Sequence, residues 1–348
     1  MQGGIAVKMR SLKTKAQRDL FRQEVTDGVI KLLEKGESAW TRPWTQHERS
    51  NLPHNGVTGR FYRGCNVMWL SFIAMAQEYK SNEWGTYKQW QTEHARMLKK
   101  QGVNVEQRTS VTSSGKERKY WWNVDDNCAI GAAKKGEKAH PAILFKPLKI
   151  TEKDDDDNET FKVIPLMRAF PVFNRNQTVL PDRAVKATDN EPRDITDWEH
   201  DTMALVEAHG VDYREGGDRA FFNYRQDYVQ VPVLEAFKSA EGRVATILHE
   251  VTHWTGHPSR LDRDIDEGFG SLGYAREELV AEMGSAMLSA YMGIPQIDLE
   301  NHASYIQTWA NRLKEKDGHN YLFRASSAAQ KAVDYLMETK WGDDAEAQ

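Results

Sequence analysis

The chain has 348 residues, 39% hydrophobic and 28% charged, with 47 Lys/Arg against 51 Asp/Glu and a formal net charge of −4. That length supports one to three domains with a real core. A mean hydropathy of −0.71 and a longest apolar run of nine residues, Met68 to Ala76, about half a bilayer span, exclude a transmembrane protein.

The net charge hides a polarity. Residues 1–150 hold 26 Lys/Arg against 14 Asp/Glu, and residues 151–348 hold 21 against 37. Asymmetry of this size predicts two domains with different partners, the basic one suited to polyanions. The first ten residues contain no long apolar stretch, so no signal peptide is expected. Cys65 and Cys128 form no Cys-x-x-Cys pair. A disulfide framework or cysteine zinc ribbon is therefore not expected, and the reading is a cytoplasmic protein with no membrane partner.

In chain order, residues 11–35 place Leu20, Phe21, Val25, Val29, Ile30, Leu32 and Leu33 at helical spacing, with Gly36 as a stop. Turn-rich, cationic and aromatic stretches follow at Ser38–Trp44 and Asn55–Asn66. Asn66–Tyr79 predicts a buried helix and Trp84–Leu98 a more amphipathic one. Val103–Val111 and Tyr120–Val124, joined by Thr112–Lys116, predict a β-hairpin. Lys134–Lys138 is a basic turn ahead of a strand at Ala142–Lys146.

This half holds seven of the eleven Trp residues. Single-stranded nucleic acid is held by cations that follow phosphates and by aromatic faces on which bases stack. The stretches that combine both are Arg42 with Trp44, Arg60-Phe-Tyr62-Arg63, Lys119-Tyr120-Trp121-Trp122, and Lys134, Lys135 and Lys138. Trp69 and Phe72 sit inside an apolar helix and read as core. One of Trp121 and Trp122 must face each side of its strand. No zinc finger or recognition-helix signature is present, so little sequence readout is expected.

Four consecutive Asp within Glu152–Glu159 cannot pack into a core and predict a solvated loop or linker edge. The spaced ligands and central Gly of a calcium loop are missing there. Beyond it, Ala220–Pro232 reads as two short strands with a turn near Gln226-Asp227. The sharpest motif is His249-Glu250-Val-Thr-His253-Trp-Thr-Gly256-His257. Residues four apart share a helix face, so His249 and His253 can converge on one ion, with Glu250 in reach of water held there. Val244, Ile247, Leu248 and Val251 form an apolar stripe beside them, and Gly256 and Pro258 end the helix.

A second helix is predicted at Tyr274–Tyr291. Val280, Met283, Met287 and Ala290 face a core, while Glu278, Glu282, Ser285 and Ser289 form an adjacent polar stripe. Two carboxylates one turn apart on an inward-packed helix suit a cation. Glu277 points about 100° away and reads as a solvated helix start. The third-ligand candidates are Glu278, Glu282 and His257. Three ligands strung along one straight helix do not converge, which counts against His257.

The arrangement resembles the thermolysin-like zinc peptidases, the gluzincins. That resemblance implies Glu278 as third ligand and Glu282 as the partner that orients a metal-bound His. It implies Zn²⁺, or another divalent metal such as Mn²⁺, with Glu250 as the base. Tyr274 and His257 are candidates for stabilising the oxyanion, and Tyr228–Val231 for an edge strand that pairs with an extended peptide.

Pro43-Trp44, Asn55-Gly-Val-Thr-Gly-Arg-Phe-Tyr-Arg-Gly-Cys-Asn66, Lys135-Gly-Glu-Lys138 with Phe145-Lys-Pro147, Phe173-Asn174, His249–Leu261 and Glu277-Glu-Leu-Val-Ala-Glu282 together resemble the ArdC-type antirestriction proteins of conjugative plasmids, over nearly the whole chain. The insert from Gln101 to Val124 is a departure not expected in every member. The resemblance implies an α+β fold in two domains. Residues 1–150 would form a basic, aromatic single-stranded-DNA-binding domain and 151–190 an acidic linker or connecting strand. Residues 191–348 would form a gluzincin-like metallopeptidase domain with a small antiparallel sheet and active-site helices. The implied function is protection of incoming plasmid DNA from restriction. The implied partners are single-stranded DNA and a protein or peptide substrate, with restriction-system components as candidates. The competing readings are a DNA-shielding protein whose metal site is structural or inactive, and a metal-dependent nuclease.

Overall fold

Runs of strands, from two to 16 residues long, lie between the helices, and the architecture is mixed α+β. The computed structural model describes residues 14–34, 52–153, 159–182, 195–263, 272–294 and 318–338. They fall into two compact units, one drawn from Met1–Arg18, Pro53–Tyr62 and Ile73–Ala184, the other from Asp19–Leu52, Arg63–Phe72 and Val185–Gln348. The division is therefore not one cut at residue 150. Most of α1 (Lys15–Glu34) and the start of α2 (Cys65–Ala76) group with the later residues.

The first unit contains a four-stranded sheet. Its strands are β1 (His54–Asn55), β2 (Glu83–Gly85), β6 (His140–Lys153) and β7 (Glu159–Asn174), in the order β1-β2-β7-β6. Strands β6 and β7 pair antiparallel from His140↔Val172 to Lys153↔Glu159. Residue 150 thus lies inside a strand, and the connection at 154–158, with its run of Asp, lies outside the described residues. A second sheet is the meander β3 (Val105–Val111), β4 (Glu117–Asn123) and β5 (Cys128–Ala129). Its hairpin turns at Thr112–Lys116, where Gly115 has φ +77° and the Thr112 N–H bonds the Lys116 carbonyl at 2.9 Å. Gly allows this φ without Cβ strain.

Helix α3 (Tyr87–Lys100) starts at a capping box, Thr86 with Gln89, which satisfies N-terminal backbone groups. Its Trp90 is fully buried and donates from Nε1 to the Phe173 carbonyl at 2.9 Å. Gly56 and Gly85 make room for that ring; a Cβ would stand 2.2 and 2.9 Å from it. Below lies a buried ion pair, Arg175 to Glu83 at 2.9 Å, with Arg175 also donating to the Pro181 carbonyl.

The second unit is mainly helical: α4 (Ile195–Ala208), α5 (Ala240–Trp254), α6 (Leu272–Met292) and α7 (Gly318–Leu336). Helix α7 is not among the elements predicted from the sequence. Its buried stripe, Leu322, Ala325, Ala329, Val333 and Leu336, has helical spacing but is weakly apolar because two of the five are Ala. Helix α5 starts at an N-cap, Ser239, whose hydroxyl accepts from the Gly242 N–H at 3.1 Å. It packs against α4, α6 and a three-stranded sheet. That sheet, β8 (Asp212–Glu215), β9 (Phe221–Asn223) and β10 (Tyr228–Val231), has the order β8-β10-β9.

This order corrects two expectations. The β8–β10 pairing is parallel and only β9–β10 is antiparallel, so the sheet is mixed. Strand β10 inserts between the two strands that precede it. Tyr228–Val231 is therefore the central strand, and β9 and β8 are the edges.

Helices α5 and α6 cross closely at Gly284. A Cβ there would lie 2.5 Å from Thr252 Cγ2, and Thr252 is held by its own hydrogen bond to the Leu248 carbonyl at 2.7 Å. Gly284→Ala is expected to destabilise by about 1–3 kcal/mol through overpacking, more than the roughly 1 kcal/mol gained in helix propensity. A thermal melt checks this; a raised Tm would show that the crossing can widen freely.

Candidate metal centre

The metal-site candidates come from α5 and α6. His249 and His253 lie one turn apart on α5, and Glu278 comes from α6. One ligand atom from each lies within 4.8 Å of the other two. The two Nε2 atoms are 3.2 Å apart. Glu278 places Oε2 at 3.7 Å from His249 Nε2 and Oε1 at 3.6 Å from His253 Nε2. Bonds of about 2.0–2.2 Å to a tetrahedral ion require donors about 3.3–3.6 Å apart, so this donor set fits a divalent ion of that size.

The far nitrogens also meet carboxylates. His249 Nδ1 lies 3.6 Å from Glu282 Oε1, and His253 Nδ1 lies 3.2 Å from Glu277 Oε1. Burial by itself lowers a histidine pKa. At both histidines the neighbouring carboxylates outweigh it, and His253 is pushed up to about 10. Glu278 responds in the opposite sense: burial raises its pKa, but the two imidazoles take it well below the usual carboxylate range. Glu250 is buried, which pushes its pKa up against the lowering effect of the histidines and of the Phe222 N–H that donates to it. Strand β9 therefore runs beside Glu250.

Glu277 corrects the sequence reading. It is 6% exposed rather than a solvated helix start. Its carboxylate takes His253 on one side and Arg263 on the other, with Arg263 Nη2 at 2.7 Å from Oε1. No spacing in the sequence signals Arg263, which reaches Glu277 from the loop after α5. His257 is not brought into the donor set. Its Nδ1 lies 2.8 Å from Ser259 Oγ and 3.8 Å from Asp227, and its ring faces Phe222 and Tyr224. Tyr274 is half-buried near the start of α6.

The expected nucleic-acid contacts divide sharply. Arg42 and Trp44 lie outside the described residues. Tyr62 is 6% exposed, too buried to offer a face to a base. Arg63 is committed to an ion pair with Asp334 on α7. Trp121 packs against Ala95, Val105 and Ile130, donates to Thr92 Oγ1 at 3.2 Å and lies under Lys99. These three are claimed by the fold: Tyr62 is buried in the loop before α2, Arg63 is paired to α7, and Trp121 lies on the side of β4 that meets α3.

The opposite face of the hairpin differs. Tyr120 and Trp122 stand edge to face at 6.2 Å, and the Arg108 guanidinium lies 4.3 Å above the Trp122 ring. Arg108, on β3, is a stacking cation the sequence reading missed, although its register opposite Tyr120 follows from the hairpin. Arg60, Lys119, Lys134, Lys135 and Lys138 are exposed; Lys134 Nζ donates to the Asn176 carbonyl at 2.9 Å. Among the described residues no helix is long and apolar enough to cross a membrane.

Comparison with known proteins adds the following. Residues 19–173 match the N-terminal domain of anti-restriction factor ArdC, and residues 200–328 match a zincin-like metallopeptidase family. A DNA primase TraC of Escherichia coli is 32% identical over 91% of this chain, which spans only 27% of that relative. The uncharacterized protein y4eC of Sinorhizobium fredii is 29% identical over 90% of both chains. The crystal structure of antirestriction ArdC from the R388 plasmid, metal-free, matches with a TM-score of 0.62 and 32% identity, covering 91% of this chain and 96% of that one. Its Mn(II)-bound structure matches with a TM-score of 0.62 and 29% identity over 92% and 99%.

Proposed function

The chain belongs to the ArdC-type antirestriction family, and from that premise we propose that it binds single-stranded DNA without sequence preference, protects incoming conjugative plasmid DNA from restriction and carries a metal-dependent peptidase site. The convergence of His249, His253 and Glu278 beside a buried Glu250 supports the enzymatic part. His249, His253 and Glu278 would hold a divalent ion, Zn²⁺ or Mn²⁺, which when bound would supply Lewis-acid polarisation of water and of a peptide carbonyl. Glu250 is placed to take a proton from the attacking water and to return it to the leaving amine. A raised carboxylate pKa suits a group that acts as base and then as acid. Glu282 orients His249 from its far nitrogen. Strand β9, at the sheet edge beside Glu250, is suited to pair with an extended peptide. Tyr274 and His257 are the candidates for stabilising negative charge on the carbonyl oxygen. The basic first unit, whose sheet takes in β6 and β7, serves DNA, and the later unit, which holds His249, His253 and Glu278, serves hydrolysis, in the cytoplasm. The protein substrate is unidentified; restriction-system components are the first to test.

Elemental analysis tests this reading. Wild type is expected to carry about one divalent ion per chain, lost in His249→Ala. A wild type that takes up no metal removes the peptidase reading. A second reading, shielding of DNA alone with an inactive metal site, draws on the Arg108/Trp122/Tyr120 face.

A further inference from the structure

Helix α6 carries two adjacent buried carboxylates, Glu277 and Glu278. Glu278 faces the Nε2 atoms of both imidazoles. Glu277 lies on the other side of His253, with Oε1 at 3.2 Å from Nδ1. Arg263 grips both of its oxygens, Nε at 3.0 Å from Oε2 and Nη2 at 2.7 Å from Oε1. Arg263 is itself fixed. Nη1 donates to Thr255 Oγ1 at 2.7 Å, Nη2 donates to the Thr252 carbonyl at 2.7 Å, and its backbone N–H donates to the Gly256 carbonyl at 2.9 Å. Gly256 leaves the space for this passage, since a Cβ there would meet Nη2 at 2.8 Å.

Two physical consequences follow. A carboxylate accepting at Nδ1 puts the ring proton there and leaves the Nε2 lone pair for an ion. A carboxylate one residue from Glu278 is also a rival ligand, and a planar guanidinium fork that holds both oxygens removes it from competition. We propose that Glu277 and Arg263 are paired positioning residues: Glu277 aims His253 Nε2 at the ion, and Arg263 keeps Glu277 off it, so the protein supplies three ligands and one coordination position stays open. The proposal rests on the metal-site reading above.

The test measures Zn²⁺ affinity by competition with a chelating dye and the visible absorption of the Co²⁺-loaded protein. The full chain is compared as wild type, Glu277→Ala, Glu277→Gln, Arg263→Met and the Glu277→Ala/Arg263→Met double variant. Glu277→Ala is expected to weaken Zn²⁺ binding about 10- to 100-fold. Glu277→Gln, which keeps an acceptor oxygen for the Nδ1 proton, recovers part of that loss. Arg263→Met releases Glu277 onto the ion, and the Co²⁺ absorption falls as the coordination number rises. In the double variant no carboxylate is left to release, so the spectrum stays like that of Glu277→Ala; this separates release from damage to the loop. Full Zn²⁺ affinity in Glu277→Ala, or an unchanged Co²⁺ spectrum in Arg263→Met, overturns the proposal. A wild type that takes up neither ion instead overturns the metal-site reading and this proposal with it.

Discussion

Glu250→Gln is expected to lower plasmid protection in a restricting recipient by about 100-fold or more, while metal content and DNA affinity stay at wild-type level. The size follows from the proton transfer that is lost, since a positioned general base contributes about 10²–10⁴-fold to the step it serves. The selectivity follows from geometry. Glu250 lies outside the His249/His253/Glu278 donor set, so its loss removes proton transfer without removing a ligand. Gln keeps the side-chain volume and can still accept from the Phe222 N–H. Conjugal transfer of an unmodified plasmid measures protection, and elemental analysis with a DNA-binding titration supplies the controls. Unchanged protection in Glu250→Gln would mean that coating the DNA is sufficient and that hydrolysis has no part in antirestriction.

The second large effect concerns the hairpin. Replacing Tyr120 and Trp122 together by Ala is expected to weaken single-stranded DNA binding about 30-fold or more. Base stacking on an aromatic face is worth about 1–3 kcal/mol per base, and about 1.4 kcal/mol is tenfold in affinity. Trp121→Ala is the internal contrast. That ring packs against Ala95, Val105 and Ile130, so its loss is expected to lower Tm. Titration of a single-stranded oligonucleotide and of the same sequence as blunt duplex, at several salt concentrations, checks the claim. An equal loss on duplex, or none on single strands, rules out stacking on this face. The affinity itself should fall steeply with salt, as binding through Lys and Arg releases counterions.

Much of the candidate site can be read from residue order. His249, Glu250 and His253 depend only on helical periodicity, which a local apolar stripe specifies. The one-turn spacing of Glu278 and Glu282 is equally local. The capped ends of α3 and α5 and the Gly115 turn of the hairpin are short-range chemistry as well. Glu277 escapes this logic for a related reason. Periodicity states which way a side chain points from its own helix, not what fills that direction. Arg263 fills it, and only the loop after α5, passing over Gly256, brings it there.

The candidate DNA-binding residues show the same boundary. Composition identifies a basic, aromatic half, but Tyr62, Arg63 and Trp121 are held by the fold. Residue type cannot separate a stacking aromatic from a packing one, because both bury apolar area. In the same way, the sequence predicts two short strands before α5, while long-range pairing with β8 makes β10 central and β9 the edge. What the amino-acid order determined by itself is the candidate metal-ligand helix and the charge polarity, since these rest on local spacing and net composition, and the family resemblance, which rests on contiguous motifs. What only the tertiary structure decided is which carboxylate meets which imidazole nitrogen, which aromatic ring of the hairpin packs against α3 and which strand lies beside Glu250. Those depend on contacts between residues far apart in sequence, and no local pattern encodes them.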